Sequence, residues 1–297
     1  MKTNKKIIIT GALGQDGLIL SKLFINNKFK VIGFVKKLNK KIIKKVNYQK
    51  FPLDNYLKLS KKINDINPDI FIHLGSDNPS FAELNNKYPL KKNYQISKNI
   101  IDIFSKNKKK TKVIMIGSSQ MYKKSDLKIS INDKFYPQNS YAKFRVKSFN
   151  YMMKCKKKSN LIATMAILFN HDSFFRNKKF LIPRITKLIK ENKFNELQKI
   201  YYENISGDFS HAEDICKGIY KLSISKKNPD KLIFSSNKRS FINDIIDYLI
   251  RLNKKIFTFV KPRKNKYANP IGNNTVTKNT LKWKIKKDIY IAAKELI

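Results

Sequence analysis

Short apolar runs alternate with amphipathic stretches along the chain up to about residue 170. KKIIIT at 5–10 is followed by a glycine-rich turn and by GLILSKLFINNK, whose apolar residues recur at helical spacing. This order predicts a strand, a loop and a helix. Strands that alternate with helices form a parallel sheet, so we predict an α/β fold with a doubly wound parallel sheet. Further apolar runs of strand length lie at 30–35, 68–76, 112–119 and 160–170.

The pattern changes after residue 170. Turns and helical segments replace the regular alternation, and KLIFSS at 231–236 has the character of a late strand. We expect this strand to return to the sheet.

The composition is that of a globular protein. A chain of 297 residues with 41% hydrophobic content can bury a sizeable core. No apolar run reaches the ~18 residues of a membrane span, and the first residues lack the pattern of an export signal. Cys155 and Cys216 are the only cysteines, which excludes a disulfide framework and fits a reducing compartment. We therefore expect a cytoplasmic protein with no membrane partner.

The formal net charge of +43 raises nucleic acid as a partner. The charge is spread through nearly every predicted helix and turn, and almost all of it is lysine. We interpret it as a solvated surface and expect no nucleic-acid partner. Arginine is scarce, so each one stands out; the arginines are Arg145, Arg176, Arg184, Arg239, Arg251 and Arg263.

The first turn, TGALGQDG, carries Gly11, Gly14 and Gly17 between the first strand and the first helix. Glycines at these places allow a tight turn and a close approach to a pyrophosphate, whose charge the helix N-terminus favours. Lys36 and Lys37 follow the second strand, where an acidic residue would accept the ribose hydroxyl of NAD. Cations there suit a 2′-phosphate, so we predict NADP as the cofactor, with NAD as the alternative.

The TGxxGxxG spacing is that of the short-chain dehydrogenases/reductases, and GQDG resembles the GDP-mannose 4,6-dehydratase branch of the NAD-dependent epimerase/dehydratase family. Three later stretches, at 167–189, 206–215 and 271–283, resemble that branch in the same order. The resemblance implies a Rossmann domain interleaved with a smaller C-terminal substrate-binding domain. We assign residues 1–168 and about 231–250 to the first, and 169–230 and 251–297 to the nucleotide-sugar-binding cap.

The resemblance also implies the chemistry. In this superfamily a tyrosine exchanges a proton with a sugar oxygen, a lysine one helical turn later supports it, and a Ser or Thr binds the same oxygen. Tyr141 in NSYAKFRVK matches the tyrosine, and Ser118 in SSQMY matches the hydroxyl of the family's TSELY. Position 145 is Arg instead of Lys. The substitution keeps the positive charge but places it on a planar guanidinium with a side chain of different shape. Gln120 replaces the Glu that serves as the base in dehydration, and an amide cannot take up a proton at neutral pH.

The remaining predicted contacts follow from the same matches. The resemblance implies cofactor contacts at Gln15, Asp16, Lys36, Leu74, Leu168, His171 and Arg176, in addition to the three glycines, Tyr141 and Arg145. It implies substrate contacts at Asn170, Arg184 and Arg263, where arginines suit a diphosphate.

Three functions stay open at this point. The first is a GDP-mannose 4,6-dehydratase-like enzyme that oxidises the sugar at carbon 4 and then eliminates water. The second is a 4-keto reductase or epimerase, because the general base is replaced at Gln120. The third is a catalytically degenerate dinucleotide-binding protein. The predicted partner is a nucleotide-diphosphate sugar, with GDP as the expected nucleotide. The resemblance implies a homodimer or homotetramer formed through helices predicted near 85–105 and 141–157.

Overall fold

A computed structural model describes residues 4–38, 42–76, 79, 90–123, 127–260 and 268–297. Its strands are Lys6–Thr10 (β1), Lys30–Val35 (β2), Asn47–Lys50 (β3), Ile70–His73 (β4), Lys112–Ser118 (β5), Lys128–Ile129 (β6), Ala163–Leu168 (β7), Asn170–Asp172 (β8), Ser206–Gly207 (β9), Phe209–His211 (β10), Lys231–Phe234 (β11), Ser240–Phe241 (β12) and Ile271–Gly272 (β13). Its helices are Gln15–Asn26 (α1), Tyr56–Ile66 (α2), Leu90–Lys106 (α3), Ser140–Lys158 (α4), Leu181–Lys190 (α5), Phe194–Tyr202 (α6), Ala212–Ile224 (α7), Ile242–Leu252 (α8), Thr275–Leu281 (α9) and Ile289–Glu295 (α10).

A parallel sheet of seven strands in the order β11-β7-β5-β4-β1-β2-β3 forms the centre of the fold. The order reverses direction at β1, as a doubly wound sheet requires. Helices α1 and α7 cover one face, and α2, α3 and α4 cover the other. The α/β prediction is confirmed, as is the return of β11 to the sheet beside β7.

The edge strand β3 was not predicted. Its sequence, NYQK, contains no β-branched or aliphatic residue, and its side chains are exposed or half-buried. The strand pairs with β2 on one side and ends the sheet on the other. An edge strand that buries little apolar surface leaves no run in the hydrophobic pattern.

A second, smaller core lies outside the sheet. The apolar faces of α5, α6, α8 and α10 form it, with Ile185, Leu197, Ile246 and Ala292 buried at its centre. The short strands form three further pairs: β8 with β10, β9 with β12, and β6 with β13. No helix of the described residues is long and apolar enough to cross a membrane.

Two helices pack differently from the predicted division between the domains, which stays a prediction. Helix α7, placed with the cap, packs on α1 and belongs to the core of the sheet, because Ile215 and Ile219 extend the apolar surface of α1. Helix α8, placed with the sheet, packs on α5 and α6 instead. Trp283 also lies in the sheet's core. Chain order alone does not reveal which apolar face a helix buries.

Candidate active site

The glycine turn between β1 and α1 is tight. Gly11 has a φ of +69°, and a Cβ there would lie 3.1 Å from the backbone of Gly75. A Cβ on Gly17 would lie 2.5 Å from the carbonyl oxygen of Gly11. Gly14 is the N-cap of α1 and donates its N–H to that same carbonyl at 3.0 Å. Glycine is therefore required for this close approach of helix and strand, and the N-terminus of α1 is left open to an anion.

An open cleft of about 990 Å³ lies above this turn, along the carboxyl edge of the sheet. Such an edge is where doubly wound sheets bind ligands. The structure brings many of the predicted cofactor residues together in its lining: Gly11, Gly14, Gln15, Asp16, Gly17, Lys36, Leu74 and Arg176.

Cations surround the part of the cleft below β2 and β3. Lys36, Lys37 and Lys50 line it, and Lys92 lies across from them in an ion pair with Asp54 at 2.9 Å. The acidic side chain is half-exposed, so this ion pair contributes little to stability. The lining carries more positive than negative charge at this end, which favours an anionic ligand.

Asp16 and His171 bind each other at the base of the cleft. Nε2 of His171 lies 3.1 Å from both carboxylate oxygens of Asp16, and its Nδ1 lies 2.6 Å from the carbonyl of Phe169. Burial would raise the pKa of Asp16, but the charges of His171 and Arg176 lower that pKa to about 2. Burial would likewise lower the pKa of His171, and the Asp16 carboxylate raises it above 6.5. His171 therefore ties β8 to the glycine turn through an ion pair.

The Arg176 side chain lies beside this pair. Its Nε is 3.0 Å from Oδ1 of Asp172, and its guanidinium stacks over the ring of Phe180 at 3.7 Å. Gln15 adds a second link, because its Nε2 donates to the carbonyl of His171 at 3.2 Å. Polar side chains of the 170–176 segment thus hold the cap against α1.

Tyr141 and Arg145 lie one turn apart on α4, at the positions predicted for the acid/base pair. Nη2 of Arg145 donates to the Tyr141 hydroxyl at 3.4 Å and to Oγ of Ser76 at 2.6 Å. Nη1 donates to the carbonyl of Ile116, also at 2.6 Å. The guanidinium is buried and lies over the ring of Phe144, 4.6 Å from its centroid. The arginine is thus held by Ile116 of β5 and by Ser76, which follows β4.

Ser118 and Gln120 lie where β5 ends. Oγ of Ser118 accepts the backbone N–H of Gln120 at 3.2 Å and begins a single 3-10 turn over Ser119–Met121. The side chain of Gln120 is exposed, and its Oε1 accepts a hydrogen bond from Nδ2 of Asn139 at 2.8 Å. Asn139 is the N-cap of α4. The cap of the tyrosine's helix therefore contacts the residue at the predicted base position.

His73 lies buried at the end of β4, as a core histidine. Its Nδ1 lies 2.8 Å from Oγ1 of Thr10, which also accepts the N–H of Gly75 at 2.9 Å. Burial, together with the smaller effect of the Arg145 charge, lowers the pKa of His73 to about 3. A neutral imidazole is therefore expected next to the arginine.

Sequence reasoning missed two residues of this arrangement. Ser76 carried a detectable signal, since it follows β4 at the same sheet edge as the glycine turn. Asn139 carried a weaker one, the ordinary preference of Asn for the start of a helix. The contacts of both residues depend on tertiary packing.

Other predicted residues lie away from the cleft lining. Leu168 is buried at the end of β7. Asn170 is exposed at the start of β8, and Arg184 is exposed on α5. Arg263 lies outside the described residues. The three substrate contacts therefore stay predictions.

The model of a family described as GDP-mannose 4,6 dehydratase matches residues 8–290. The GDP-mannose 4,6 dehydratase of Dictyostelium discoideum is 21% identical, over 100% of this chain and 96% of that protein. GDP-mannose 4,6 dehydratase 1 of Arabidopsis thaliana is 22% identical, over 96% and 87% of the two chains.

Solved structures share the fold. A UDP-glucose 4-epimerase from Thermotoga maritima, solved with UDP-glucose, superposes with a TM-score of 0.83 at 14% identity, over 98% of this chain and 97% of the other. A UDP-glucuronic acid 4-epimerase from Bacillus cereus, solved with UDP-glucuronic acid and NAD, gives 0.82 at 16% identity, over the same 98% and 97%.

Proposed function

Because the chain belongs to the GDP-mannose 4,6-dehydratase family, we propose that it is an NADP-dependent enzyme that acts on a nucleotide-diphosphate sugar through oxidation or reduction at carbon 4. The observation that carries the proposal is the contact between the Tyr141 hydroxyl and the buried guanidinium of Arg145. A phenol next to a fixed cation and a second hydroxyl can exchange a proton with a sugar oxygen. GDP-mannose is the first candidate substrate.

The residues of the cleft fit a nicotinamide dinucleotide. The open N-terminus of α1 suits its pyrophosphate, and no side chain at Gly11, Gly14 or Gly17 blocks that approach. When bound, the cofactor accepts or returns a hydride. Lys36 and Lys37 support the choice of NADP over NAD, because they place positive charge where a 2′-phosphate would lie.

The chain's own residues have separate roles. Tyr141 takes the proton from the sugar hydroxyl during oxidation and returns it during reduction. Ser118 donates a hydrogen bond to the same oxygen and orients it. Arg145 is a positioning residue that holds the tyrosine hydroxyl through Nη2 and is itself fixed by Ser76 and Ile116.

A second candidate function, a nucleotide-sugar 4-keto reductase or epimerase, is favoured by a specific observation. Gln120 is an amide, and its oxygen is already bound to Asn139. It cannot take the proton whose removal starts the elimination of water. Reduction or epimerisation at carbon 4 takes its hydride from the cofactor and its proton from Tyr141, and it needs no base at residue 120.

Two parallel incubations test the proposal. The protein is mixed with GDP-mannose and NADP, and separately with a GDP-4-keto-6-deoxy sugar and NADPH, with Tyr141→Phe as the control. Loss of water from the first supports dehydration, and consumption of NADPH with the second supports reduction. An activity that Tyr141→Phe leaves unchanged, or cofactor binding without turnover of either sugar, would contradict the proposal and favour a degenerate dinucleotide-binding protein.

A further inference from the structure

The side-chain amide of Asn139 has a fixed orientation. Its Oδ1 accepts the backbone N–H of Ala142 at 2.8 Å and so caps the first turn of α4. A backbone N–H can only donate, so the atom that faces it is the amide oxygen and the atom on the other side is Nδ2. The helix cap therefore decides which end of Asn139 faces residue 120.

Gln120 takes its orientation from Asn139. Nδ2 of Asn139 donates to Oε1 of Gln120 at 2.8 Å, and an amide nitrogen has no capacity to accept. Oε1 of Gln120 therefore faces Asn139, and Nε2 is the end of the amide that faces away from Asn139. Within the part of the chain that the structure describes, no acceptor binds Nε2, and the side chain is exposed. Its two N–H groups are available to a ligand.

The backbone of Gln120 is also held. Its N–H donates to Oγ of Ser118 at 3.2 Å, in the turn that directly follows β5. The amide thus lies two residues from the hydroxyl that would bind the reacting oxygen of the sugar. Two hydrogen bonds, one to the backbone and one to the side chain, hold Gln120 between Ser118 and Asn139.

We infer that Gln120 is a specificity-determining hydrogen-bond donor, and that the substrate sugar carries an oxygen acceptor on carbon 6, either a hydroxyl or a carboxylate. The inference rests on the proposed function, in which residue 120 holds the position of the base that starts the elimination of water across carbons 5 and 6. A glutamate at this position would accept a hydrogen bond from the sugar, whereas a glutamine oriented by Asn139 donates one to it. A sugar without an oxygen on carbon 6 would desolvate the amide and leave it unpaired, which is costly.

Calorimetric titration of the protein with NADPH bound tests this inference, because the reduced cofactor cannot take a hydride from these sugars and the heat reports binding alone. The probes are GDP-mannose, which has a hydroxyl on carbon 6, GDP-mannuronic acid, which has a carboxylate, GDP-6-deoxymannose, which has neither, and GDP alone. We expect GDP-mannose, GDP-mannuronic acid or both to bind about tenfold more tightly than the 6-deoxy compound. The tighter of the two identifies which acceptor the site selects.

Asn139→Asp should reverse the orientation of the Gln120 side-chain amide while residue 120 stays a glutamine. Aspartate is as good an N-cap as asparagine, so α4 stays capped. The new carboxylate cannot donate, so Gln120 turns its nitrogen toward residue 139 and its oxygen toward the sugar. We expect the preference for a carbon 6 oxygen to fall to about twofold or less, while the affinity for GDP alone stays unchanged. Gln120→Glu should lose the preference in the same way.

Gln138→Glu is the matched control. It also converts an amide to a carboxylate, at an exposed position next to Asn139, and should keep the preference for an oxygen on carbon 6. If the wild-type protein binds the 6-deoxy compound as tightly as the other sugars, or if the preference survives both Asn139→Asp and Gln120→Glu, the inference is wrong and the proposed function stands. If the wild-type protein binds none of the sugar nucleotides, both are wrong.

Discussion

The hydroxyl of Tyr141 lies 3.4 Å from Nη2 of Arg145, one turn later on the same helix. The same nitrogen makes a shorter bond of 2.6 Å to Ser76. The guanidinium thus binds the sheet edge more closely than the tyrosine and acts as a fixed support. A lysine ammonium carries its three donors on one nitrogen, whereas the planar guanidinium reaches Ser76 and Ile116 through different nitrogens.

Removal of this support should reduce turnover. We expect Arg145→Ala to lower kcat about a hundredfold, because the tyrosine hydroxyl loses its cation and its orientation. Arg145→Lys should lose less, since it keeps the charge. Lys147→Ala, on the exposed face of the same helix, is the control and should be neutral. Steady-state kinetics with the sugar that proves active measure the effect, and equal kcat values for Arg145→Ala and wild type would contradict the role.

Ser76 should matter through Arg145. We expect Ser76→Ala to lower kcat by about tenfold with little change in KM for the sugar, since the buried guanidinium loses one acceptor and gains freedom beneath Tyr141. Ser76→Thr keeps the hydroxyl and should restore most of the rate. A variant whose loss appears in KM alone would show that Ser76 contacts the substrate instead.

The lysines at the end of β2 should determine the cofactor. We expect the double substitution Lys36→Ala and Lys37→Ala to weaken NADP binding by about tenfold at low salt and to leave NAD binding nearly unchanged, because only NADP has the 2′-phosphate. Fluorescence titration with both cofactors measures this. Equal weakening of NADP and NAD would place these lysines at another part of the dinucleotide.

Gln120→Glu restores a carboxylate at the base position. We expect it to produce a measurable loss of water from GDP-mannose where the wild-type protein gives little or none, since a carboxylate can take the proton that an amide cannot. Mass spectrometry of the product detects the loss. The absence of any dehydrated product, with binding intact, would show that the site lacks more than the base.

The ion pair of Asp16 and His171 makes stability depend on pH. The pKa of Asp16 is lowered from 3.8 to about 2, so its contribution is present above pH 3.8 and is lost as the pH falls through about 2. The pKa of His171 is raised from 6.5, so its contribution is present below pH 6.5 and is lost as the pH rises above the folded-state value. The pair is therefore strongest between about pH 4 and 6.5.

His171→Gln tests this dependence, because glutamine keeps a donor and removes the charge. At pH 5.5 we expect the variant to be less stable than the wild-type protein by about 2 kcal/mol, and we expect the difference to shrink at pH 9. Denaturant unfolding at the two pH values measures the free energies. A difference that is independent of pH would mean that His171 acts by packing alone.

The sequence predicted most of the sheet because buried parallel strands are continuous apolar runs. Strand β2 has the predicted bounds, Lys30–Val35, whereas β3 was missed because NYQK buries little. The glycine turn between β1 and α1 could also be predicted from the local sequence, since a turn this tight excludes side chains. The roles of Ser76 and Asn139 could not be predicted from the sequence. Ser76 binds Arg145 and Asn139 binds Gln120, and both partners are distant in the chain. Localisation and assembly into dimers or tetramers stay predictions.

The return of β11 to the sheet has a consequence for how the protein is made. Strand β7 pairs with β11, but the two are separated in the chain by much of the smaller core. A nascent or truncated chain that ends near residue 168 would hold β7 as an unpaired edge that is apolar apart from Thr164, the kind of edge that recruits other chains. Synthesis must therefore continue through residue 234 before that edge is closed, and shorter fragments are expected to aggregate.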